Sequence, residues 1–388
     1  MRQLVVATFI GLIGLGAGVA GQVQRFAGPT ELPFSAATKA DGLVYVAGMI
    51  VADGDIRNQT RRVLENIDAA LRKAGSSLAN VASVHVYLKH GSDFAAMNEV
   101  YRTFWKADPP VRTTVQADLV APNGLVEISA VAVPNGGERT VIHPGGWAPA
   151  LNPYSYGIKT GSTLFLAGLV ARNGKDNSPV EGPMAVQTKA VLDNAAEILK
   201  AAGMGFEHVV SSRVFITDAT MFQEMNGAYR TCFPKDPPAR ATVVARPMNA
   251  ANVVEITLTA VNAPRQVFTT PAADGTPGKP NPLLSSAVKV GNRLYVSGIL
   301  GNTPENRADV EAQTRELLAR VGRTMTAAGY GWSDVVDAVV YITDVAYFDG
   351  MNRGYRSVFA KDFPARATVR TGLVNADALV EIMFVASK

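Results

Sequence analysis

The segment Pro238-Ala239-Arg240-Ala241-Thr242-Val243 decides the fold, because the chain of 388 residues contains it three times with little change. The other two copies are Pro110-Val111-Arg112-Thr113-Thr114-Val115 and Pro364-Ala365-Arg366-Ala367-Thr368-Val369. A glutamate follows each arginine after fifteen residues, inside an apolar run; these residues are Glu127, Glu255 and Glu381. Segments that recur with a fixed internal spacing indicate repeated structural units, so the chain is predicted to be triplicated.

Further residues keep a constant distance from each arginine. Fourteen residues before it stands an asparagine, with a tyrosine three residues later: Asn98 and Tyr101, Asn226 and Tyr229, Asn352 and Tyr355. Fifty-three residues before it stands a glutamine: Gln59, Gln187 and Gln313. An early apolar strand ends in a glycine: Gly48, Gly168 and Gly298. The units are predicted at 28–134, 150–262 and 280–388, and the Pro/Gly-rich linkers 135–149 and 262–279 are predicted to be loops.

The composition is that of a folded protein, with 47% hydrophobic and 18% charged residues. The net charge is only +4 and basic residues do not cluster, which argues against a nucleic-acid-binding protein. The single cysteine, Cys232, excludes an intrachain disulfide and is interpreted as a packed thiol. The four histidines have no metal-ligand spacing, so neither a metal nor another cofactor is expected.

The first residues resemble an export signal. Arg2 precedes an apolar stretch from Leu4 to Ala20, which ends in the small-x-small sequence Gly18-Val19-Ala20. Residues 1–20 are therefore predicted to be a signal peptide, and the protein to be secreted or periplasmic without stable membrane association. The alternative is an uncleaved membrane anchor, since 17 apolar residues lie at the short end of a spanning helix.

Each unit has the pattern of an α+β fold. A predicted strand hairpin ending at the glycine is followed by an amphipathic helix, a strand, a second helix and two strands that carry the arginine and then the glutamate. Two helices can cover only one face of such a sheet, and the other face also has to be buried. Three units in one chain can bury these faces together around a pseudo-threefold axis.

The repeated polar residues allow functional and structural interpretations. An arginine grips a carboxylate with two parallel hydrogen bonds, and a nearby glutamate can activate water. The same arginine and glutamate could instead form a salt bridge that holds the units together. The asparagines could hydrogen-bond a loop, and the tyrosines are interpreted as core. The recurring lysines Lys39, Lys159 and Lys289 are placed in solvated hairpin turns; a Ser-Lys dyad like that of the ring-opening amidohydrolases is the alternative.

These motifs resemble the RidA (YjgF) family of reactive-intermediate imine and enamine deaminases over nearly the whole chain after residue 30. The Pro-x-Arg-x-x-Val segment, the Val-Glu-Ile strand, the Asn-x-x-Tyr helix and the apolar strand ending in glycine occur in family order. The resemblance implies three tandem chorismate-mutase-like units that form an intramolecular pseudo-trimer, with up to three clefts at the unit interfaces. It also implies a chain that acts as a monomer.

The resemblance assigns roles to individual residues. The arginines Arg112, Arg240 and Arg366 would bind the substrate carboxylate, and Glu127, Glu255 and Glu381 would position or activate water. The remaining residues expected to contact substrate are Asn98, Asn226, Asn352, Tyr154, Thr114, Thr242, Thr368, Gly48, Gly168, Gly298 and Ser297.

The units also depart from the family pattern. The early Pro-Tyr-Ser motif is intact only at Pro153-Tyr154-Ser155; unit 1 has Phe34 and unit 3 has Leu284 at the tyrosine position. The serine before the strand-end glycine is kept only as Ser297. A family-like aspartate is kept as Asp218 and Asp344 but is His90 in unit 1. The three clefts are therefore expected to differ in activity.

The function implied by the resemblance is hydrolysis of imines or enamines derived from amino acids, with release of ammonia and a 2-keto acid. The alternative is a periplasmic module that binds carboxylates or acts as a chaperone without turnover. A ribonuclease is a third possibility, against which the absence of a basic stripe argues.

Overall fold

The computed structural model describes residues 23–29, 31–359 and 361–388. The predicted signal peptide, residues 1–20, lies outside this range. Within it, no helix combines the length and the apolar character needed to cross a bilayer.

Three units follow one another, each with seven strands and two helices along the chain. Unit 1 contains β1 (Gln24–Phe26), β2 (Ala37–Ala40), β3 (Leu43–Ile50), α1 (Ile56–Lys73), β4 (Val81–Leu88), α2 (Phe94–Phe104), β5 (Val111–Gln116), β6 (Asp118–Leu119) and β7 (Val126–Ala132). Unit 2 contains β8 (Thr140–Ile142), β9 (Gly157–Thr160), β10 (Thr163–Leu166), α3 (Met184–Ala201), β11 (Val209–Ile216), α4 (Phe222–Tyr229), β12 (Ala239–Val244), β13 (Arg246–Pro247) and β14 (Val254–Val261). Unit 3 contains β15 (Arg265–Phe268), β16 (Ala287–Val290), β17 (Arg293–Leu300), α5 (Val310–Ala327), β18 (Val335–Ile342), α6 (Phe348–Tyr355), β19 (Ala365–Arg370), β20 (Gly372–Leu373) and β21 (Val380–Ser387).

The long helices follow from the apolar spacing of their sequences. In α1, Val63, Leu64, Ile67 and Leu71 recur at helical intervals and are buried. The Asp55 carboxylate caps the first turn by accepting a hydrogen bond from the backbone N–H of Asn58. The helix ends before Gly75, whose φ of +75° is a left-handed conformation that glycine adopts without steric penalty.

Each sheet is completed by a strand from the next unit. The orders are β1-β2-β3-β7-β4-β5-β13, β20-β12-β11-β14-β10-β9-β8 and β15-β16-β17-β21-β18-β19-β6. The two-residue strand β13 of unit 2 therefore closes the sheet of unit 1, β20 of unit 3 closes that of unit 2, and β6 of unit 1 closes that of unit 3. This cyclic exchange covers one edge of every sheet with backbone hydrogen bonds.

The sheets are mixed. The arginine-bearing strands β5, β12 and β19 run parallel to β4, β11 and β18, and the other neighbours are antiparallel. In units 1 and 3 the register between the first long strand and the glutamate-bearing strand shifts by one residue, between Val46 and Met49 and between Val296 and Ile299. The shift is a β-bulge, and it falls at Gly48 and Gly298.

Both faces of each sheet are buried. The helices cover one face, as the unit 1 core of α1, α2 and sheet residues illustrates. The opposite faces meet in a central cluster, to which the three units contribute the equivalent residues Tyr87, Phe215 and Tyr341. The predicted α+β architecture, with three chorismate-mutase-like units forming one intramolecular pseudo-trimer, is therefore confirmed.

The prediction that both linkers are loops is wrong in part. The first linker contains β8, which pairs with β9, and the second contains β15, which pairs with β16. These strands are short and lie at a sheet edge, where three or four residues between Pro/Gly-rich stretches give little periodic signal.

The repeated glutamine holds the loop that leads into the glutamate-bearing strand. In unit 2, the buried Gln187 side chain donates to the carbonyls of Gly182 and Ala251, at 3.1 and 3.0 Å, and accepts from the N–H of Val253 at 3.0 Å. Gln59 and Gln313 make the corresponding bonds in their units. One side chain thus satisfies several backbone groups that water cannot reach.

Replacement of Gln187 by alanine is expected to lower the free energy of unfolding by about 2–4 kcal/mol, because buried backbone groups lose their partners. Thermal melting followed by circular dichroism measures the change. Gln223→Ala, at an exposed position of α4, is the matched control. Equal melting temperatures for the two variants would contradict the assigned role of Gln187.

Candidate active site

Three clefts lie between the units, and each is built by two of them. Cleft A has Arg112 of unit 1 and Glu255 of unit 2; the N–H of Thr114 donates to the Glu255 carboxyl at 3.3 Å. Cleft C has Arg366 of unit 3 and Glu127 of unit 1; the N–H of Thr368 donates to Glu127 at 3.2 Å.

Cleft B has Arg240 of unit 2 and Glu381 of unit 3, and Glu381 faces Arg240 and Thr242 in the corresponding way. The sequence left open which units pair, and the structure places each arginine opposite the glutamate of the following unit.

The arginines are buried on the parallel strands, with 4%, 1% and 3% exposure for Arg112, Arg240 and Arg366. Each guanidinium lies over the tyrosine of the Asn-x-x-Tyr helix, at 4.7, 4.7 and 4.8 Å from the ring centroid. A cation is attracted to the face of an aromatic ring, so the ring orients the guanidinium as well as packing against it.

Two aromatic residues of the second helix therefore support each arginine. The tyrosines are fully buried, as their interpretation as core residues predicted, but they also contact the guanidinium groups. The first residue of each helix, Phe94, Phe222 or Phe348, lies 5.6 to 5.9 Å from the same groups. The sequence did not lead us to assign these phenylalanines to the site, although each stands eighteen residues before its arginine.

The asparagines lie on the arginine side of the clefts. Asn226 accepts a hydrogen bond from Arg240, and Asn352 accepts one from Arg366, both at 2.8 Å. Asn98 differs, because its amide donates instead to Asn152 at 3.3 Å. The asparagine therefore hydrogen-bonds the arginine in clefts B and C, but not in cleft A.

No carboxylate lies within 4.0 Å of Arg112, Arg240 or Arg366 in the described part of the chain. Within those residues, Nη1 of each arginine has no hydrogen-bond partner, and neither has Oε2 of Glu127. The alternative of a direct salt bridge that holds the units together is therefore not found there. A buried guanidinium without an anionic partner is unfavourable, and burial lowers the pKa of Arg366 to about 10.

The glutamates lie on the opposite wall, over the strand-end glycines. A Cβ atom built at Gly48, Gly168 or Gly298 would overlap Oε1 of Glu127, Glu255 or Glu381, so only glycine leaves room for the carboxyl group. Burial raises the pKa of all three carboxyl groups to about 8, against the opposing effect of backbone N–H groups and nearby arginines. At neutral pH these carboxyl groups are therefore mostly protonated.

A methyl group at Gly168 is expected to displace Glu255 and to press on the backbone of Thr113, 3.0 Å from the added Cβ. The Gly168→Ala variant should melt several degrees below the wild type. Gly227→Ala is the control, because no atom lies within 4 Å of its Cβ and alanine favours a helix. A Gly168→Ala protein as stable as this control would show that the carboxyl group needs no such space.

The serine of the early motif joins neighbouring units beside each cleft. The hydroxyl groups of Ser35, Ser155 and Ser285 each donate a hydrogen bond of 2.6 Å to a backbone carbonyl of the preceding unit in the ring. The accepting carbonyls belong to Phe363, Pro109 and Pro237, which lie just before the arginine-bearing strands. The adjacent position therefore faces the cleft. It is Tyr154 in cleft A and, in cleft C, Phe34, whose ring centroid lies 5.8 Å from the guanidinium of Arg366; unit 3 has Leu284 at this position.

Other predicted residues occupy less direct positions. Ser297 is fully buried; its hydroxyl accepts a hydrogen bond from the N–H of Arg240, which joins units 2 and 3, and donates one to the carbonyl of Ser285 within unit 3. The prediction that the recurring lysines lie in hairpin turns is wrong, because Lys39, Lys159 and Lys289 lie on strands β2, β9 and β16, just before the turns. Asp218 and Asp344 cap short helical turns, and His90 makes no such bond.

Cleft A opens into a cavity of about 550 Å³. Arg112 and Thr114 line it from unit 1, and Tyr154, Arg172 and Glu255 line it from unit 2. No group of three or more metal-ligating side chains is found among the described residues.

The family model described as Endoribonuclease L-PSP matches the chain three times, over residues 27–134, 146–262 and 278–388. The 3-aminoacrylate deaminase RutC of Acinetobacter baylyi is 41% identical over 112 residues, which are 27% of this chain and 89% of that protein. A RutC family protein of Pyrococcus horikoshii is 44% identical over 108 residues, 26% of this chain and 86% of that protein. A chorismatase structure superposes with a TM-score of 0.55 at 18% identity, covering 79% of this chain and 93% of the other.

The chain is a member of the RidA/YjgF family, the family of the RutC proteins, and carries three tandem units of it. The chorismatase likeness concerns the fold alone, and it extends across more than one unit.

Proposed function

We propose that the protein hydrolyses imines and enamines derived from amino acids, giving a 2-keto acid and ammonia. The observation that carries the proposal is the buried arginine without a carboxylate partner, opposite a glutamate from the next unit, in three clefts. Such an arginine is suited to an anionic ligand of low molecular weight, and a substrate carboxylate supplies that charge.

The protonation state of the glutamate suggests the order of the chemical steps. The arginine holds the substrate carboxylate and so fixes the adjacent C=N carbon. The protonated glutamate donates its proton to the imine nitrogen, or to the β-carbon of an enamine, and becomes a carboxylate. It then accepts a proton from the water that attacks the iminium carbon, and passes that proton to the amino nitrogen of the resulting carbinolamine. As the C–N bond breaks and ammonia leaves, the hydroxyl proton of the intermediate returns to the glutamate, which forms the carbonyl group and restores the protonated carboxyl group.

Neither a covalent nucleophile nor a cofactor enters this scheme. One water is consumed, and one keto acid and one ammonia are formed. The relatives include a protein named 3-aminoacrylate deaminase, which supports an enamine or imine as the substrate class.

The test is keto-acid and ammonia release from imines generated in situ by an amino-acid oxidase, with and without the protein. We expect release faster than in buffer at equal oxidase turnover. A folded protein that leaves the rate unchanged would reject the deaminase function and favour a module that binds carboxylates, or acts as a chaperone, without turnover. A ribonuclease activity that disappears on further purification would remove the third alternative.

We also propose that residues 1–20 are an export signal and that the mature chain is a monomer. N-terminal mass spectrometry of protein recovered outside the cytoplasm should give a terminus at Gly21. Sedimentation should give a mass near that of one chain, which is 41.0 kDa before processing. A retained N-terminus would favour the membrane-anchor alternative, and a multiple of the mass would reject the monomer.

A further inference from the structure

The loop that follows Gly168 distinguishes cleft A from the other two clefts. It is the longest of the three, and it places an arginine, Arg172, four residues after the glycine. The corresponding residues are Ala52 in unit 1 and Asn302 in unit 3. At this position the loop therefore carries a cationic group in one unit only.

Arg172 is held in place by its own loop and by α3. Its backbone pairs with Pro179 in a β-bridge, and its carbonyl accepts a hydrogen bond from the Asn194 amide at 2.6 Å. Its guanidinium donates to Oδ1 of Asn177 at 3.2 Å. Asn177 is itself fixed, because its amide donates to the carbonyl of Pro149 at 3.0 Å.

The guanidinium of Arg172 faces the same cavity as Arg112. It lies 5.9 Å from the ring centroid of Tyr154, and both residues line the 550 Å³ space together with Glu255. Burial raises the pKa of Glu255, and the charges of Arg172 and Arg112 both oppose that rise.

The charges in this cavity are not balanced. Within the described residues, no carboxylate lies within 4.0 Å of Arg172 or of Arg112. Glu255 is largely protonated at neutral pH, since its pKa is about 8. The cavity wall therefore carries two guanidinium groups and no full negative charge close enough to neutralise either.

We propose that cleft A takes imines and enamines of amino acids with an acidic side chain, and so binds dicarboxylates. This substrate class rests on the proposed function. The carboxylate next to the C=N carbon binds Arg112, and the distal carboxylate binds Arg172 across the cavity. Clefts B and C, with Asn302 and Ala52 at the equivalent positions, take substrates with a single carboxylate.

Binding to cleft A can be measured separately from turnover. In the full-length chain carrying Arg240→Met and Arg366→Met, only cleft A keeps its carboxylate-binding arginine. Calorimetric titration with 2-oxoglutarate and with 2-oxopentanoate compares two keto acids of equal chain length that differ in the terminal acid. We expect one site per chain and a Kd for 2-oxoglutarate lower by about tenfold or more, the effect of one charge-assisted ion pair.

The same background is then combined with Arg172→Gln, Arg172→Lys or Lys175→Gln. Arg172→Gln should abolish the preference for 2-oxoglutarate and leave the binding of 2-oxopentanoate within about twofold, because only the distal contact is lost. Arg172→Lys should keep part of the preference. Lys175→Gln removes the same charge from an exposed position of the loop and should change nothing.

Turnover of the imines of glutamate and norvaline gives the second arm, as a ratio of kcat/KM values measured in the same Arg240→Met, Arg366→Met background, so that only cleft A contributes to the preference. If the wild type hydrolyses neither imine but Arg172 still governs the choice between the two keto acids, the proposed function fails and the dicarboxylate site stands. If imines are hydrolysed but the preference is absent, or survives in Arg172→Gln, the dicarboxylate site is rejected and the deaminase stands.

Discussion

The protein in which Arg112, Arg240 and Arg366 are all replaced by methionine is expected to lose imine hydrolysis, with kcat/KM lower by about 1,000-fold or more. Each arginine supplies both the charge that binds the substrate carboxylate and the geometry that fixes the reacting carbon, and loss of a fixed geometry lowers rates by orders of magnitude. Keto-acid release from in situ imines measures the effect.

Methionine is chosen because it retains most of the packing against the tyrosine and phenylalanine rings. The folded state should be at least as stable as the wild type in the absence of ligand, since a buried charge without an anionic partner is removed. Thermal melting therefore separates loss of function from loss of fold.

The matched control removes three exposed charges from nearby positions. Lys106, Lys235 and Lys361 lie five or six residues before the arginines and are exposed. Their triple replacement by methionine should leave kcat/KM unchanged. Equal losses in the two triple variants would mean that net charge, and not the three buried guanidinium groups, governs activity.

The second large effect is expected from Glu127→Gln, Glu255→Gln and Glu381→Gln combined. Glutamine keeps the size and neutrality of the protonated carboxyl group but can neither donate an acidic proton nor accept one from water. We expect kcat/KM to fall by about 100-fold or more, the usual contribution of a general acid–base residue.

The pH dependence of the wild type should follow the same groups. Protonated glutamate starts the proposed reaction and its pKa is about 8, so kcat/KM is expected to decline as the pH rises through 8. The residual kcat/KM of the triple glutamine variant should show no such decline. A wild-type rate that increases through pH 8 would instead mean that the carboxylate form begins the reaction.

Stability should depend on pH with a predictable sign. These carboxyl groups have pKa values near 4.5 when unfolded and about 8 when folded, so the folded state binds more protons between these values. Stability is therefore greatest at the acidic side of this window and is lost as the pH rises toward 8. The triple glutamine variant should melt several degrees above the wild type at pH 8.5 and close to it at pH 5, whereas a constant difference would contradict the raised pKa values.

Much of the fold could be predicted from the sequence because the three repeats share one spacing of their recurring residues. A fixed spacing from Gln59 to Glu127, repeated twice, identified the units and their order of elements. The strand exchange did not follow, because strands such as Arg246–Pro247 are two residues long and have no period of their own. The short edge strands in the linkers were missed for the same reason.

The residue types of the candidate site could be predicted from the sequence, but the pairing of arginine and glutamate from different units could not. Arg240 and Glu381 lie 141 positions apart in different units, and only the three-dimensional ring brings them together. The raised pKa of the glutamates also required the structure, because burial of a carboxyl group depends on atoms from two units. Arg172 was missed because it lies in the one loop whose length differs among the repeats, where no internal comparison is possible.

The joining of three units in one chain has a consequence for how the clefts can change over time. In a protein assembled from three identical subunits, every substitution enters all three clefts at once. A change that harms the shared activity then harms it in every cleft. Here each cleft is built from its own residues of two units in one chain, and the same two units always assemble it. A substitution at position 172 therefore alters one cleft and leaves the other two unchanged.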